Sequence, residues 1–570
     1  QDKLELSIGP YLVSSEQTNL QELQIQASGN RFDLAGRIPG VQLSGSPASL
    51  KDPLAGIKKA VLTSPDIKLV LKEATEFEET AATANRYTKL PALELKDPAL
   101  NISREAEGRI IELFSNVGGY IQTDDINIKE GRLSTARVDL SLHKIIAMPE
   151  KTNLRIGNFQ LRASDFNLDR NLQTTIQKIS LREGNIDHQT DNYQLRINDI
   201  AVLNKEPILF SSKKEELRKF LENLPNINLE AKEVFYQTKD RKWEVYKTLL
   251  DADKKIIGFD SIRFSSLISK DSFLARSPYQ TDFIEFNAGK GRILGLDREI
   301  KEKDTVWLAN RIELDQFNME VERDKRRPED TVSYRTMLPG LIKKIPLNLE
   351  IGSALLTRSR IQYSETSGKT GKQGTVWFND LNLVAGPIKN FELQPTDSLR
   401  ITATALFMDS GNLRFGFQQA YLDSLYGFYL LARMGKMELN ALSPLLMPLF
   451  NLHIKQGRAD SVWLRVKGND YFAYGHMELD YRKLKFELYD EKGRKKKFTS
   501  FLANLLIKNR NGKKGLVYQE RVQNKSTFNY WGKIALSGLM TNLGVKSNRK
   551  YLRNYKKEAK RLEIPIELLD

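Results

Sequence analysis

The sequence predicts a mostly β protein: an elongated, curled antiparallel sheet, a repeating taco-like β-groove, with a few short helices and a helical, basic C-terminus. Three observations predict it. Apolar and polar residues alternate with a period of two over many short runs, turn-forming residues separate those runs, and nowhere does a strand lead through a glycine-rich loop into a long helix.

The alternating runs set the strands. Ile126–Ile128, Tyr193–Ile197, Leu347–Ile351, Leu413–Phe417 and Leu452–Ile454 each place apolar side chains on one face and polar ones on the other. An antiparallel sheet with one dry and one wet face reads this way. Turn signals fall at Glu130-Gly131, Glu183-Gly184, Gly289–Gly291, Gly368–Gly374 and Lys467–Asp470. Helical spacing is confined to Lys213–Leu224, Phe498–Ile507 and Ser526–Leu543. Tyr334–Ile345 is a weaker helix because Pro339 and Gly340 interrupt it, and Ser443–Phe450, with Pro444 and Pro448, is at best a short helical turn.

Internal similarity points to a repeated unit. Pro225, Pro346 and Pro448 each precede an alternating strand, and Pro91 marks an earlier copy. The strings Ile128–Arg132 (IKEGR) and Ile454–Arg458 (IKQGR) each close a strand with a glycine turn. The chain accordingly divides into an N-terminal part of the groove (1–225), a middle repeat (226–345), C-terminal repeats (346–497), and amphipathic helices with a basic tail (498–570).

Composition excludes several functions. The 570 residues include no cysteine, which removes disulfides, cysteine-ligated zinc, iron–sulfur clusters and a cysteine nucleophile. Cysteine avoidance also suits an oxidising compartment. Four scattered histidines give no metal motif. No run of 18 apolar residues could form a spanning helix. The net charge of +16 is concentrated at one end: from Glu491 to Asp570 there are 20 basic and 6 acidic residues, and the rest of the chain is close to neutral. That placement argues against a nucleic-acid face, as does the lack of basic stretches interleaved with aromatics.

Catalytic motifs do not survive inspection. Gly368-Lys369-Thr370 resembles the end of a phosphate loop, but Tyr363 stands where the leading glycine must be, so the segment reads as a hairpin turn. Asp124-Asp125 and Glu215-Glu216 have no spacing that brings them to one pocket. No Gly-x-Ser-x-Gly elbow occurs. The expectation is a non-enzyme without a cofactor or metal.

The segments Leu355–Leu383, Ala405–Asn412 and Met437–Asp490, followed by Phe501–Asn504 and Phe528–Trp531, resemble the C-terminal half of AsmA-like proteins of the Bacteroidetes type. The likeness covers about residues 340–545 and speaks to fold more than to mechanism. It implies kinship with bridge-like lipid transfer proteins and a place in the periplasm, tethered to the inner membrane by an N-terminal helix that this chain does not contain. It further implies phospholipid transport between the two membranes, in support of outer-membrane homeostasis.

Taken with the alternation, the resemblance nominates apolar strand positions as the lipid-facing wall: Leu347, Leu349, Ile351, Val376, Phe378, Phe415, Phe417, Leu452 and Ile454. Each is equally well placed to be a packed core residue. At the C-terminus, Phe528, Trp531, Leu539 and Leu543 form an apolar stripe, followed by Lys546, Arg549, Lys550, Arg553, Lys556 and Lys557. A stripe beside a cationic segment suits a membrane surface or a protein partner; it equally suits a helix that caps the sheet and a solvated arm. The expected partners are a phospholipid or other acyl lipid, a membrane surface and envelope proteins, with no nucleic acid. The alternative is a non-enzymatic envelope scaffold that docks outer-membrane or secretion proteins.

Overall fold

The computed structural model describes residues 3–7, 11–13, 17–28, 32–45, 56–72, 87–106, 109–129, 132–148, 152–168, 172–211, 226–301, 304–490, 493–496, 514–543 and 547–561. The alternating runs become strands, and the chain is mostly β with a few short helices. It divides into two units, Gln1–Phe259 and Asp260–Asp570.

In the first unit, β1 (Lys3–Ser7) and β2 (Tyr11–Val13) lie end to end along β3 (Gln17–Ser28), which pairs with β4 (Phe32–Gly45). Two short strands, β5 (Ile57–Thr63) and β6 (Asp66–Leu71), share the length of β4. The next two rungs are likewise broken: β7 (Tyr87–Leu90), β8 (Ala92–Lys96) and β9 (Ala99–Ala106), then β10 (Arg109–Ser115), β11 (Gly119–Thr123) and β12 (Ile126–Lys129). Full-width strands follow: β13 (Arg132–Ala147), β14 (Thr152–Leu168) and β15 (Leu172–Gln189). Beyond them, β16 (Tyr193–Asn204) and β17 (Ile208–Ser211) share one edge of β15, and β18 (Ile227–Thr238), β19 (Arg241–Asp251) and β20 (Ile256–Phe259) complete the unit.

The second unit contains β21 (Ser261–Ser266), α1 (Lys270–Arg276), β22 (Asp282–Ala288), β23 (Gly291–Leu294), β24 (Asp297–Lys301), β25 (Asp304–Asp315) and β26 (Asn318–Asp324). After α2 (Leu338–Lys343) come β27 (Asn348–Thr366), β28 (Gln373–Gly386), β29 (Ile388–Lys389), β30 (Ser398–Phe407), β31 (Gly411–Ala420), β32 (Phe428–Met434) and β33 (Met437–Glu438). A 3₁₀ turn (Leu439–Leu442) leads into α3 (Ser443–Phe450), β34 (Leu452–Gly468), β35 (Phe472–Leu488), β36 (Lys514–Glu520), α4 (Thr527–Asn542) and α5 (Arg549–Arg561).

Most pairings are antiparallel, as alternation implies, but each unit also has a parallel join. β8 and β9 enter beside β5 and β6, and β27 runs parallel to both β25 and β26. A parallel entry needs a long connection. The segments before β8 and β27 supply it, and Pro91 and Pro346 sit where these strands begin.

A crease runs across the first unit. Ser64, Asp97, Gly118, Lys144, Glu183, Asp199 and Lys247 all have positive φ, from 47° to 74°. The ladder aligns them. Ser64 N–H donates to the Lys96 carbonyl, Asp97 N–H to that of Gly119, and His143 N–H to that of Gly118. Further along, Lys144 stands opposite Gly157, Gly157 opposite Glu183, and Asp199 and Lys247 each opposite Lys232. A bulge bends its strand and inserts one residue into the alternation. Apolar spacing therefore jumps by three across the line, from Leu142 to Ile145, Ile156 to Phe159, Leu181 to Gly184 and Ile197 to Ile200. Without that slip, the apolar side chains beyond the line would project from the wet face. In the second unit Gln316, Arg358 and Asp380 repeat the device.

Asparagine amides mend the broken ladder. In Asp165-Phe166-Asn167, Glu183-Gly184-Asn185, Gln316-Phe317-Asn318 and Asp380-Leu381-Asn382, the first residue has positive φ and the Asn Nδ2 donates back to its carbonyl. Asn185 and Asn382 also accept, through Oδ1, from the N–H of Asp199 and Arg358 on the next strand.

Several local expectations need correction. Glu183-Gly184 is a bulge inside β15, not a turn. Ile454–Arg458 likewise lies inside β34, where the register with β35 shifts on both sides of Gln456, and Gly457 (φ 143°) sits where an added Cβ would press on Leu484. Ser443–Phe450 is a full helix: Pro444 falls in the first turn, where a missing N–H costs nothing, and Leu446 packs into the core. Pro339 and Gly340 lie within α2 rather than interrupting it, for the same reason at Pro339. Ser526–Leu543 is helical, with the Ser526 hydroxyl accepting from Asn529 N–H as N-cap. The expected helices at Lys213–Leu224 and Phe498–Ile507, and Pro225, lie outside the described residues.

Candidate functional site

The candidate site is the dry face of the first unit. Directly opposed residues share a face, so one apolar surface can be followed from strand to strand. It passes through Val41, Leu62 and Leu95 to Ile121 and Leu140, then Leu161, Ile179, Val202, Leu229 and Leu250. Beyond the crease it continues through Ile145, Ile156, Ile186, Ile197 and Val234. Leu142 and Phe159 on one side of the line, and Ile145, Ile156 and Leu154 on the other, belong to a single cluster. A second cluster joins Leu161, Ile176, Ile208, Ile227 and Leu229. Nine ladder steps of 4.7–4.9 Å separate Val41 from Leu250, so the traced face is roughly 42–44 Å long. Among the described residues the first unit has no helix to lie over it. Most of its side chains are half-buried rather than buried.

The opposite face of this unit is polar and paired. Arg137 and Arg162 share Asp139, Lys59 and Lys96 share Glu94, and the Arg196 guanidinium lies over the Phe235 ring at 4.4 Å. The Glu94 carboxyl is held below its ordinary range first by its hydrogen bond from Lys59.

The second unit treats its dry face differently. Val376, Phe378, Phe415, Phe417, Leu452 and Ile454 do share one surface, but protein covers much of it. Trp531 of α4 packs on Phe415 and Phe417 with ring centroids 5.1 and 4.7 Å apart. Ile534 and Tyr530 are buried among Leu430, Leu464, Val466 and Val517, and burial pushes the Tyr530 hydroxyl well above its ordinary pKa. Leu446 of α3, with Leu539 and Leu543, closes the part that contains Leu452 and Ile454. Met337 inserts from the segment before α2, which is held by hydrogen bonds from Tyr334 to Asp470 and from Arg521, itself paired with Asp470, to the Arg335 carbonyl. Phe378 packs on Phe407 at 5.3 Å.

The other three nominated wall residues are not brought to this surface. Ala354, opposite Ala385, lies on the dry side with Ile401 and Phe417, so Leu349 and Ile351 point to the other side of β27. Leu347 precedes the strand and is exposed. Of the C-terminal stripe, Trp531, Leu539 and Leu543 pack inward while Phe528 remains 66% exposed. Arg549, Lys550, Arg553 and Lys557 are exposed on α5; Lys556 is on the same helix, and Lys546 lies outside the described residues.

Sequence reasoning missed the face of the first unit because it followed strict alternation, and the crease interrupts that pattern once per strand. The Asp/Glu/Gln-x-Asn triplets mark several of these interruptions and would have located them. Among the described residues no helix is long and apolar enough to cross a membrane, and no group of three or more His, Asp or Glu side chains is placed to hold a metal ion. No family model matches the chain, and neither a curated protein nor a solved structure is significantly similar to it.

Proposed function

We propose that the first unit carries the acyl chains of phospholipids along its dry face, as part of lipid transport between the inner and outer membranes across the periplasm. The observation behind this is the contrast between the units: one apolar face is continuous and free of helices among the described residues, while the other is closed by α3 and α4. Each methylene moved from water onto such a face is stabilised by about 0.8 kcal/mol. A long wall of similar aliphatic side chains offers no deep well, so a chain can slide along it. The AsmA-like resemblance of residues 340–545 supports the same reading. No residue need act as acid, base or nucleophile.

The test is native mass spectrometry of the gently purified protein, with extraction and identification of bound lipid. Lipid is expected to co-purify, and Leu161→Arg with Val202→Arg is expected to remove it while the β circular dichroism signal persists. Lipid-free protein that holds another envelope protein tightly would refute the reading and favour a docking scaffold.

A further inference from the structure

The wet face of the second unit carries a feature that the lipid path does not use. Across β30 to β36 the register sets out three rows of side chains. One row holds Arg400, Tyr429 and Lys467; the next, Leu431 and Arg465; the third, Arg414, Arg433 and Trp463. Tyr429, Leu431 and Trp463 are 52%, 49% and 42% exposed, so a tyrosine, a leucine and a tryptophan stand in water side by side among five cations. Arg433 lies over the Trp463 ring at 3.7 Å and Lys467 over Tyr429 at 5.2 Å, which holds the cations beside the aromatics.

The charge balance here differs from that of other wet-face strands. Elsewhere arginine and lysine converge on carboxylates: Arg458 and Arg482 on Asp460, Lys455 and Lys495 on Glu487. In these three rows the one carboxylate among the described residues is Glu478, and Lys514 already engages it at 3.4 Å. Arg400, Arg414, Arg433 and Arg465 have no ion-pair partner among the described residues.

We propose that this face docks onto the surface of an anionic lipid bilayer. The cations meet lipid phosphates, while Trp463 and Tyr429 occupy the headgroup level and Leu431 reaches below it. A polyanion would satisfy the cations but gives an exposed leucine nothing to bury against. The docking stands apart from the acyl path of the first unit and holds whether or not that unit carries lipid.

The experiment is co-sedimentation of the full chain with phosphatidylcholine vesicles, with and without phosphatidylglycerol, at low and high salt. Binding is expected only with phosphatidylglycerol and is expected to weaken with salt. Arg433→Gln, Arg465→Gln and Lys467→Gln together are expected to weaken it at least about tenfold, and Leu431→Ser with Trp463→Ser several-fold. Four of these side chains are exposed and Lys467 is half-buried, so unchanged thermal unfolding is expected to accompany the loss. As a second readout, Trp463→Phe is expected to remove most of the blue shift in tryptophan emission on vesicles. Full binding by the triple variant would overturn the proposal. So would loss confined to Arg553→Gln, Lys557→Gln and Lys560→Gln on α5, or tight binding to polyphosphate with none to vesicles. Lipid extracted from the first unit, measured on the same variants, is expected to stay constant, which separates this outcome from the acyl path.

Discussion

Asn116 offers the sharpest test of how the crease is held. It lies between β10 and β11 and is 3% exposed. Its Oδ1 accepts from Leu100 N–H at 3.1 Å, and its Nδ2 donates to the carbonyls of Pro98 at 2.9 Å and Gly118 at 3.0 Å. Those two carbonyls have other donors, Gly118 N–H and His143 N–H. Leu100 N–H would lose its acceptor. In Asn116→Ala, one orphaned buried N–H costs about 1–3 kcal/mol and two surrendered hydrogen bonds add about 0.5–1 kcal/mol each, a loss of roughly 2–5 kcal/mol. Asn116→Asp behaves differently, because it keeps an acceptor for Leu100 but turns a carboxylate towards two carbonyl oxygens. Its folded-state pKa is raised, so the folded state binds the extra proton and stability falls as pH rises above about 4. The Ala variant has no such pH dependence. Urea unfolding at several pH values, with hydrogen exchange at the Leu100 amide, measures both effects. The account of the crease fails if the Ala variant stays within about 0.5 kcal/mol of the parent with Leu100 still protected, or if the Asp variant shows no pH dependence.

Other outcomes follow from the same geometry. At Lys144 (φ 48°), Lys144→Gly is expected to be close to neutral and Lys144→Val to cost about 1–2 kcal/mol in denaturant unfolding, because a β-branched residue resists the left-handed region. Gly119→Ala is expected to unfold the joint between β8 and β13, since φ is 127° and an added Cβ would strike the Ser141 carbonyl; loss of exchange protection in β11 would report it. Ile534→Ala leaves a hole where α4 is fully buried and is expected to cost about 2–5 kcal/mol, read as a lower unfolding midpoint. Glu487, held at a pKa of about 2 chiefly by its hydrogen bond from Lys495, then by those from Tyr489 and Lys455, contributes stability above its unfolded pKa of about 4.5. That contribution disappears as pH falls towards 2, and Glu487→Gln should flatten this part of the acid-unfolding curve.

Much of the architecture was legible in the residues. Period-two alternation located strands such as β16, β27, β31 and β34, and the Ser526 cap with the stripe from Phe528 to Leu543 located α4. Alternation is a local consequence of the pleat, so it survives in the sequence. Which side of a strand is dry is also local until a bulge intervenes, and that is where the wall residues divided. Val376, Phe378, Phe415, Phe417, Leu452 and Ile454 came together, while Leu349 and Ile351 faced the other way. The parallel entry of β27 beside β25 left no mark in its own residues, because β27 has the same alternation in either pairing.

The sequence by itself determined that this is a β protein with a basic end, without cysteine and with short helices, because composition and side-chain period are properties of neighbours along the chain. Only the tertiary structure decided which apolar face stays free of helices and which is filled. Phe415 and Phe417 read the same whether a lipid or Trp531 lies against them, and Trp531 is more than a hundred residues away. The tertiary structure also decided that single residues such as Lys144, Glu183 and Asp199 align into one crease, and that four arginines without an ion-pair partner among the described residues share one sheet face with Trp463. Register between strands sets both, and no single strand records it.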